Sequence, residues 1–274
     1  MPRVLNIAHA GGRSLAPENT LAAAKKALEV GADMWELDVA VTLDGKLILF
    51  HDDSLARTTD AARRFPDRAP WTFTTFTLEE IRTLDAGSWF VETDPFGEIA
   101  AGRVTPEELA SYRGERIPTL EEALRFTKER RFRVNVELKR LPPPQDRFPV
   151  VERVLSLIDR LNAADYVVIS SFNHDWLRQV ETQWPDIQVQ ALVGYPYDAP
   201  NAWDNFHFKT YSVCAKRTDA AEIRMLRAKG LGVNVWTVNE ERDMERFIAA
   251  GATGLFTDFP HRLSALLHQR DEDG

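Results

Sequence analysis

Met34-Trp-Glu-Leu-Asp-Val-Ala-Val41 is an apolar, strand-forming run broken at two alternate positions by acids. Residues two apart on a strand point to the same face. Glu36 and Asp38 therefore share one face and Leu37 takes the other. An amphipathic stretch, Thr20–Val30, precedes the run and ends at Gly31, where a glycine just past a helix belongs. This helix-then-strand unit recurs along the chain. Strands are expected at Val4–Ala8, Met34–Val41, Arg133–Lys139, Tyr166–Ser171, Ile187–Val193, Thr210–Ala215, Gly232–Thr237 and Gly254–Thr257. Helices are expected at Thr20–Val30, Leu120–Arg130, Pro149–Asn162, Asp175–Trp184, Ala220–Lys229, Glu240–Ala250 and Pro260–Leu267.

Strand and helix in alternation imply a parallel sheet covered by helices. Eight such strands favour closure into a (β/α)8 TIM barrel over an open doubly wound sheet. The 274 residues suit one barrel, which typically takes about 250. Thr119-Leu-Glu-Glu122 has capping-box form, and Asn239 before Glu240 and Glu241 is placed to cap a helix. Gly230 and Gly251 stand where helices should stop. Gly194–Phe206, rich in Pro, Tyr and Asn, is expected to be a long loop with little regular helix in the fifth unit. The stretch from Asp53 to Pro118 is too long for a plain connection. It is expected to be an inserted subdomain, about 53–118, near the barrel mouth of a single domain spanning 1–269, with residues 270–274 a frayed tail.

The chain carries 34 Lys and Arg against 42 Asp and Glu, a net charge of −8. Such a chain is a poor general binder of nucleic acid or anionic lipid. It must meet an anionic substrate locally, through a metal or a few basic groups. The single cysteine, Cys214, excludes an intrachain disulfide. The N-terminus lacks the form of a signal peptide and no apolar run reaches spanning length. A cytoplasmic protein without stable membrane insertion is expected, and a homo-oligomer is left open.

Barrel active sites gather at the C-terminal ends of the strands. Strand one ends at His9, strand two carries Glu36 and Asp38, and the strand at Arg133–Lys139 carries Glu137 and Lys139 on one face. His51-Asp52 follows shortly after strand two. Three carboxylates in one small volume cannot all stay ionised without a compensating cation. A hard divalent ion with oxygen ligands, Ca²⁺ or Mg²⁺, is the simple solution, with Glu36, Asp38 and Glu137 as ligands. Zinc prefers nitrogen and sulfur and would find no cysteine here. Two histidines facing one scissile bond can serve as general base and general acid near neutral pH. Lys139 suits holding a phosphate oxygen. Asp52 reads as support that orients His51.

Several ordered motifs make the chain resemble the glycerophosphodiester phosphodiesterases. They are Ile7-Ala-His9-Ala-Gly11, Ala16-Pro-Glu18-Asn19-Thr20, Glu36-Leu-Asp38, Asp44-Gly45, His51-Asp52, Arg57-Thr-Thr59 and Leu84-Asp-Ala-Gly-Ser-Trp-Phe90. Gly114-Glu-Arg-Ile-Pro-Thr119, Asn135-Val-Glu137-Leu-Lys139, Ser170-Ser-Phe172 and Trp236-Thr-Val238 continue the series. The resemblance spans nearly the whole chain and implies the barrel, with an insertion after strand two that is longer than usual around Val91–Tyr112. It implies His9 and His51 as the acid/base pair, Glu36, Asp38 and Glu137 as metal ligands, and Lys139 on the phosphate. The implied reaction is metal-dependent hydrolysis of a small glycerophosphodiester to glycerol 3-phosphate and an alcohol. The nucleophile would be water, or the glycerol 2-hydroxyl by way of a cyclic phosphate.

One departure stands out. The family has His-Arg-Gly where this chain has His9-Ala10-Gly11. The missing arginine would help grip the phosphate, and Arg13, in the same loop, is the candidate replacement. Glu18 and Asn19 read two ways, as the start of helix one with Asn19 as cap, or with Asn19 beside the site as a hydrogen-bond donor. Phe172 and Trp236 would line the substrate pocket or simply pack. His174, His207, His261 and His268 read as structural or surface residues. Two other functions use the same residues: phospholipase D-like cleavage of lysophospholipids, which wants an apolar rim, and phosphodiester binding with little turnover. Trp71, Phe73, Phe76, Trp89, Phe90 and Phe96 could form such a rim, or the insertion's own core.

Overall fold

The computed structural model describes residues 3–195, 201 and 203–272. Its strands are β1 (Leu5–Ala8), β2 (Met34–Val41), β3 (Leu47–Leu49), β4 (Arg133–Leu138), β5 (Val167–Ser171), β6 (Gln188–Val193), β7 (Thr210–Cys214), β8 (Gly232–Trp236) and β9 (Gly254–Thr257). Eight of them pair in parallel in the order β1-β2-β4-β5-β6-β7-β8-β9, and β9 pairs back to β1. The sheet is therefore a closed (β/α)8 TIM barrel. Its helices are α1 (Leu21–Glu29), α2 (Leu120–Arg130), α3 (Val150–Leu161), α4 (His174–Gln183), α5 (Ala220–Ala228), α6 (Glu241–Ala250) and α7 (Pro260–Glu272). The helix apolar faces cover the strands in one continuous core that includes Trp35, Leu124, Ile158, Leu177 and Phe247. Helix α3 is the clearest case, with Val150, Val151, Val154, Leu155 and Ile158 buried at helical spacing.

The sequence did not announce β3, which lies antiparallel on β2 with Val39 opposite Leu49 and Val41 opposite Leu47. Strand β2 overshoots the barrel, turns at Thr42–Lys46, and returns. The turn is closed by Thr42, whose backbone pairs with Lys46 at 3.0 Å and whose Oγ1 accepts from the Lys46 amide at 2.9 Å. The return brings the Phe50 amide onto the Asp38 carbonyl at 3.0 Å. This hairpin sets His51 down beside the end of β2.

The fifth unit has only a 3-10 turn, Asp204–Phe206, among its described residues, and residues 196–200 and 202 of the expected loop lie outside them. Helix α7 runs to Glu272, five residues past its expected end, so Arg270–Glu272 are helical where a frayed tail was expected; residues 273–274 lie outside the described residues. The stretch after β3 has its own short helices, Ala61–Arg64, Leu78–Ile81, Ser88–Thr93 and Pro106–Tyr112. Phe73, Phe76, Ile81 and Leu84 pack on Val41 and Ile48, and Phe90, Val104 and Tyr112 pack on Leu15, Ala16 and Ala23. The insertion is thus seated on the end of the β2–β3 hairpin and on the β1–α1 loop.

The β1–α1 loop lies close against α1. Gly11 has φ +82°, and a Cβ there would sit 2.6 Å from the Ala23 Cβ and 2.9 Å from the Ala23 carbonyl carbon. Its amide also donates to the Glu36 carbonyl at 3.1 Å. Gly11→Ala combines a left-handed backbone, worth roughly 1–2 kcal/mol, with a steric clash. The expected result is a lower melting temperature and a smaller stabilising effect of added divalent ions, read in thermal scans with and without Mg²⁺, because Ala10 must move with it.

Candidate active site

The ends of β2 and β4 place Glu36, Asp38 and Glu137 together, with one carboxylate oxygen of each within 4.8 Å of the others. Register puts Asp38 directly opposite Glu137 and Glu36 opposite Asn135. Glu36 and Asp38 are almost wholly buried. Each acid is held in place. Glu36 Oε2 accepts from the Ala10 amide at 2.7 Å, while its buried Oε1 has no partner. Asp38 Oδ2 accepts from Asn19 Nδ2 at 2.8 Å, and Asn19 Oδ1 accepts from the Asp38 amide at 3.0 Å. Asp38 Oδ1 faces Lys139 Nζ at 3.2 Å, and that ammonium also donates to the His51 carbonyl at 2.9 Å.

The acids divide by environment. Burial raises the Glu36 carboxyl well above its usual range, helped by Asp38 and Glu137. Burial and the neighbouring Asp38 push Glu137 up to about 7. Burial works against Asp38 too, but Lys139, His51 and the Asn19 hydrogen bond together bring it below the usual range. Burial would lower Lys139, yet Asp38 and Glu137 outweigh it and hold the ammonium above its ordinary value. Two buried carboxylates and a partly buried third, with an orphaned oxygen among them, fit a hard divalent cation, which would relieve the repulsion that raises Glu36 and Glu137.

This arrangement has a consequence for stability. Both glutamates have folded values above the unfolded one, so their contribution to metal-free stability is complete below about pH 4 and is lost as pH rises, through about 7 for Glu137. A divalent ion reverses that loss. At a hundredfold excess over Kd it should stabilise the fold by about 2.7 kcal/mol, or several degrees at roughly 2–4 °C per kcal/mol. The gain in melting temperature on adding Ca²⁺ or Mg²⁺ is expected to grow from pH 5 to pH 8. A gain that ignores pH would contradict the assignment.

Two histidines stand at the same mouth, and each is oriented by a carboxylate. His51 Nδ1 is 2.7 Å from Asp52 Oδ1, and His9 Nδ1 is 2.7 Å from Asp258 Oδ1. Burial opposes both aspartates, but the histidine hydrogen bonds and nearby arginines win, holding Asp258 at about 2 and Asp52 below its usual range. An ionised carboxylate can only accept, so Nδ1 donates in both pairs. Nε2 of each ring is then left to take or give a proton. Asp38, then the Asp52 hydrogen bond, raise His51 above its ordinary value against the opposing effect of burial.

Several sequence expectations are sharpened or corrected. Asn19 lies at the site, with both ends of its buried amide hydrogen-bonded to Asp38. Thr20 caps α1 in its stead, accepting from the Ala23 amide at 3.1 Å. Arg13, the candidate replacement for the missing arginine, lies beside the site and is engaged by its neighbours. Its NH2 pairs with Glu18 at 2.6 Å, its NH1 lies 3.5 Å from the Nδ1 side of His9, and its guanidinium covers Phe96 at 5.3 Å. Ala10 is fully buried at φ +48°, and its amide serves Glu36. Asn239 is no helix cap: α6 begins at Glu241 without a side-chain cap, and Asn239 donates to Asp258 Oδ2 at 2.7 Å. Phe172 and Trp236 do reach the mouth, edge to face at 5.6 Å, with Phe172 37% exposed. Asp258 was missed, although its place one residue beyond β9 is the strand-end position that reveals the others.

Fold and site together define a (β/α)8-barrel enzyme whose acids, histidines and lysine meet at the C-terminal mouth. Comparison with known proteins agrees. The model of the glycerophosphoryl diester phosphodiesterase family matches residues 9–262, and the chain belongs to that family. A glycerophosphodiester phosphodiesterase of Caldanaerobacter subterraneus subsp. tengcongensis is 36% identical over 273 residues, covering 97% of this chain and 99% of the relative. One from Bacillus subtilis is 33% identical over 271 residues, covering 94% of this chain and 84% of the relative. A solved Oleispira antarctica phosphodiesterase, in complex with its product sn-glycerol-3-phosphate, superposes with a TM-score of 0.78 at 27% identity, over 98% of this chain and 97% of that one.

Proposed function

We propose that this chain hydrolyses glycerophosphodiesters to glycerol 3-phosphate and an alcohol, with a divalent cation bound by Glu36, Asp38 and Glu137. The observation that carries the proposal is the pairing of the three-acid cluster with two histidines whose Nδ1 atoms are both committed to carboxylates. The cation, when bound, supplies positive charge beside the phosphodiester oxygens that gain negative charge in the transition state. Lys139 contributes a second positive charge from the same side. One histidine takes at Nε2 a proton of the attacking oxygen, that of water or of the glycerol 2-hydroxyl, as that oxygen bonds to phosphorus; in the second case a water later opens the cyclic phosphate. The phosphorus–oxygen bond to the alcohol breaks, and the other histidine protonates the departing oxygen. The Phe172 and Trp236 rings would face the alcohol portion.

The family names of the relatives and the product held by the Oleispira antarctica structure support the same reaction. The feature that favoured lysolipids is weakened, because Phe73, Phe76 and Phe90 are buried in the insertion's own cores and cannot form a lipid-facing rim. No helix among the described residues is long and apolar enough to cross a membrane. The test is incubation with glycerophosphocholine, glycerophosphoethanolamine and lysophosphatidylcholine, each with Ca²⁺, Mg²⁺ or chelator, following glycerol 3-phosphate, lysophosphatidic acid and the free alcohol. Release from the two water-soluble diesters is expected. Cleavage of the lysolipid alone would replace the proposal by the lipid reading, and tight metal binding with no turnover would leave a binding protein.

A further inference from the structure

Glu18 lies buried between two guanidinium groups, its side chain 3% exposed. Its Oε2 accepts from Arg13 NH2 at 2.6 Å and Arg57 NH1 at 3.1 Å, and its Oε1 accepts from Arg57 NH2 at 2.5 Å. Arg57 then grips Asp52 with two prongs, Nε to Oδ2 at 2.5 Å and NH2 to Oδ1 at 3.0 Å. Asp52 is the carboxylate that orients His51. On the other side Arg13 Nε lies 3.8 Å from Asp258 Oδ1, the atom that orients His9. The groups form one series, His9, Asp258, Arg13, Glu18, Arg57, Asp52, His51, hydrogen-bonded throughout except between Asp258 and Arg13, which are joined by the 3.8 Å ion pair alone.

We infer that Glu18 is a positioning residue that sets the orientation of both histidines at once, through Arg13 and Arg57. The inference rests on the reading of His9 and His51 as the proton-transfer pair. The physical reason lies in how each arginine is shared. Three carboxylates, Asp258, Glu18 and Asp52, face two guanidiniums, so the series holds one surplus negative charge and each end carboxylate keeps accepting strength for its imidazole. Without the charge of Glu18, both arginines turn wholly onto Asp258 and Asp52. Those carboxylates are then satisfied by arginine and hold Nδ1–H less firmly. Groups that orient a first shell from behind typically matter by about 10–100-fold. A simple structural pin between the β1–α1 loop and the insertion would need none of this symmetry.

The test uses full-length protein labelled with ¹⁵N-histidine. In the wild type both His9 and His51 are expected to carry the hydrogen on Nδ1. In Glu18→Gln both should gain the Nε2–H tautomer, and kcat for glycerophosphocholine should fall roughly 10–100-fold with KM and the metal-induced rise in melting temperature unchanged. Arg57→Lys perturbs one end only, and transmission predicts that the His9 tautomer moves along with that of His51. It also serves if Glu18→Gln does not fold. A Glu18→Gln protein that is merely less stable, with tautomers and kcat intact, overturns the inference, as does an Arg57→Lys protein in which His51 alone responds. The tautomer readings need no turnover, so a failure of the hydrolase reading would show separately, as absent product with the wild-type tautomers as described.

Discussion

Replacing either histidine by alanine is expected to lower kcat by roughly 10²–10⁴-fold, the usual worth of a positioned general acid or base. The reason is geometric. Each ring has its Nδ1 fixed to a carboxylate, at 2.7 Å in both cases, so its other nitrogen is presented in one orientation. KM should change little, since in the proposed site the cation and Lys139 hold the phosphate. The two variants can be told apart with an activated aryl phosphodiester, whose leaving group needs no proton. The histidine that protonates the leaving alcohol will show a much smaller loss on that substrate, and the histidine acting as base will show its full loss on both. Equal, small losses on every substrate would mean that proton transfer lies elsewhere.

The second large effect is expected at Asp38. This acid is the hub of the cluster: one oxygen faces Lys139 at 3.2 Å and the other accepts from Asn19 at 2.8 Å. Its register partner across β2 and β4 is Glu137. Asp38→Asn keeps the shape but removes the charge that faces the lysine and, in the proposed site, would anchor the cation. Even partners behind metal ligands are worth about 10–100-fold, so a ligand should be worth at least ~10²-fold in activity. The variant should also lose the metal-dependent rise in melting temperature. Asn19→Ala, which removes only the support, should fall short of that loss while lowering metal affinity in calorimetric titration.

Much of this arrangement was legible in the chain, and the reasons differ from part to part. The barrel was readable because each parallel strand is a short apolar run and each helix is amphipathic, so the period changes at every boundary. The acids were readable because Glu36, Asp38 and Glu137 interrupt apolar runs, where burial of a charge needs a purpose. Strand β3 escaped because three residues, Leu47–Leu49, make too short a run to declare a strand. Asp44-Gly45 ahead of it was nonetheless a hairpin signal. Tertiary partners were the hard part. Asn239 sits before two glutamates like a helix cap, but its partner Asp258 is 19 residues away. Arg13 is a loop arginine near His9, and only the fold shows that Glu18 and Phe96 claim it. Arg57 and Glu18 meet across 39 residues of sequence, a pairing no local pattern encodes.

The central claim is that the cluster on β2 and β4 binds a divalent cation on which phosphodiester cleavage depends. Its most direct test measures both properties on one preparation. Metal-free protein, stripped by chelation, is titrated with Ca²⁺ or Mg²⁺ in a calorimeter while glycerol 3-phosphate release from glycerophosphocholine is followed at each point, for the wild type and for Glu137→Gln. The account predicts one binding site in the wild type, no release before metal is added, release that rises in step with occupancy, and loss of both in the variant. Full release from the stripped wild type, or unchanged binding in Glu137→Gln, would contradict it.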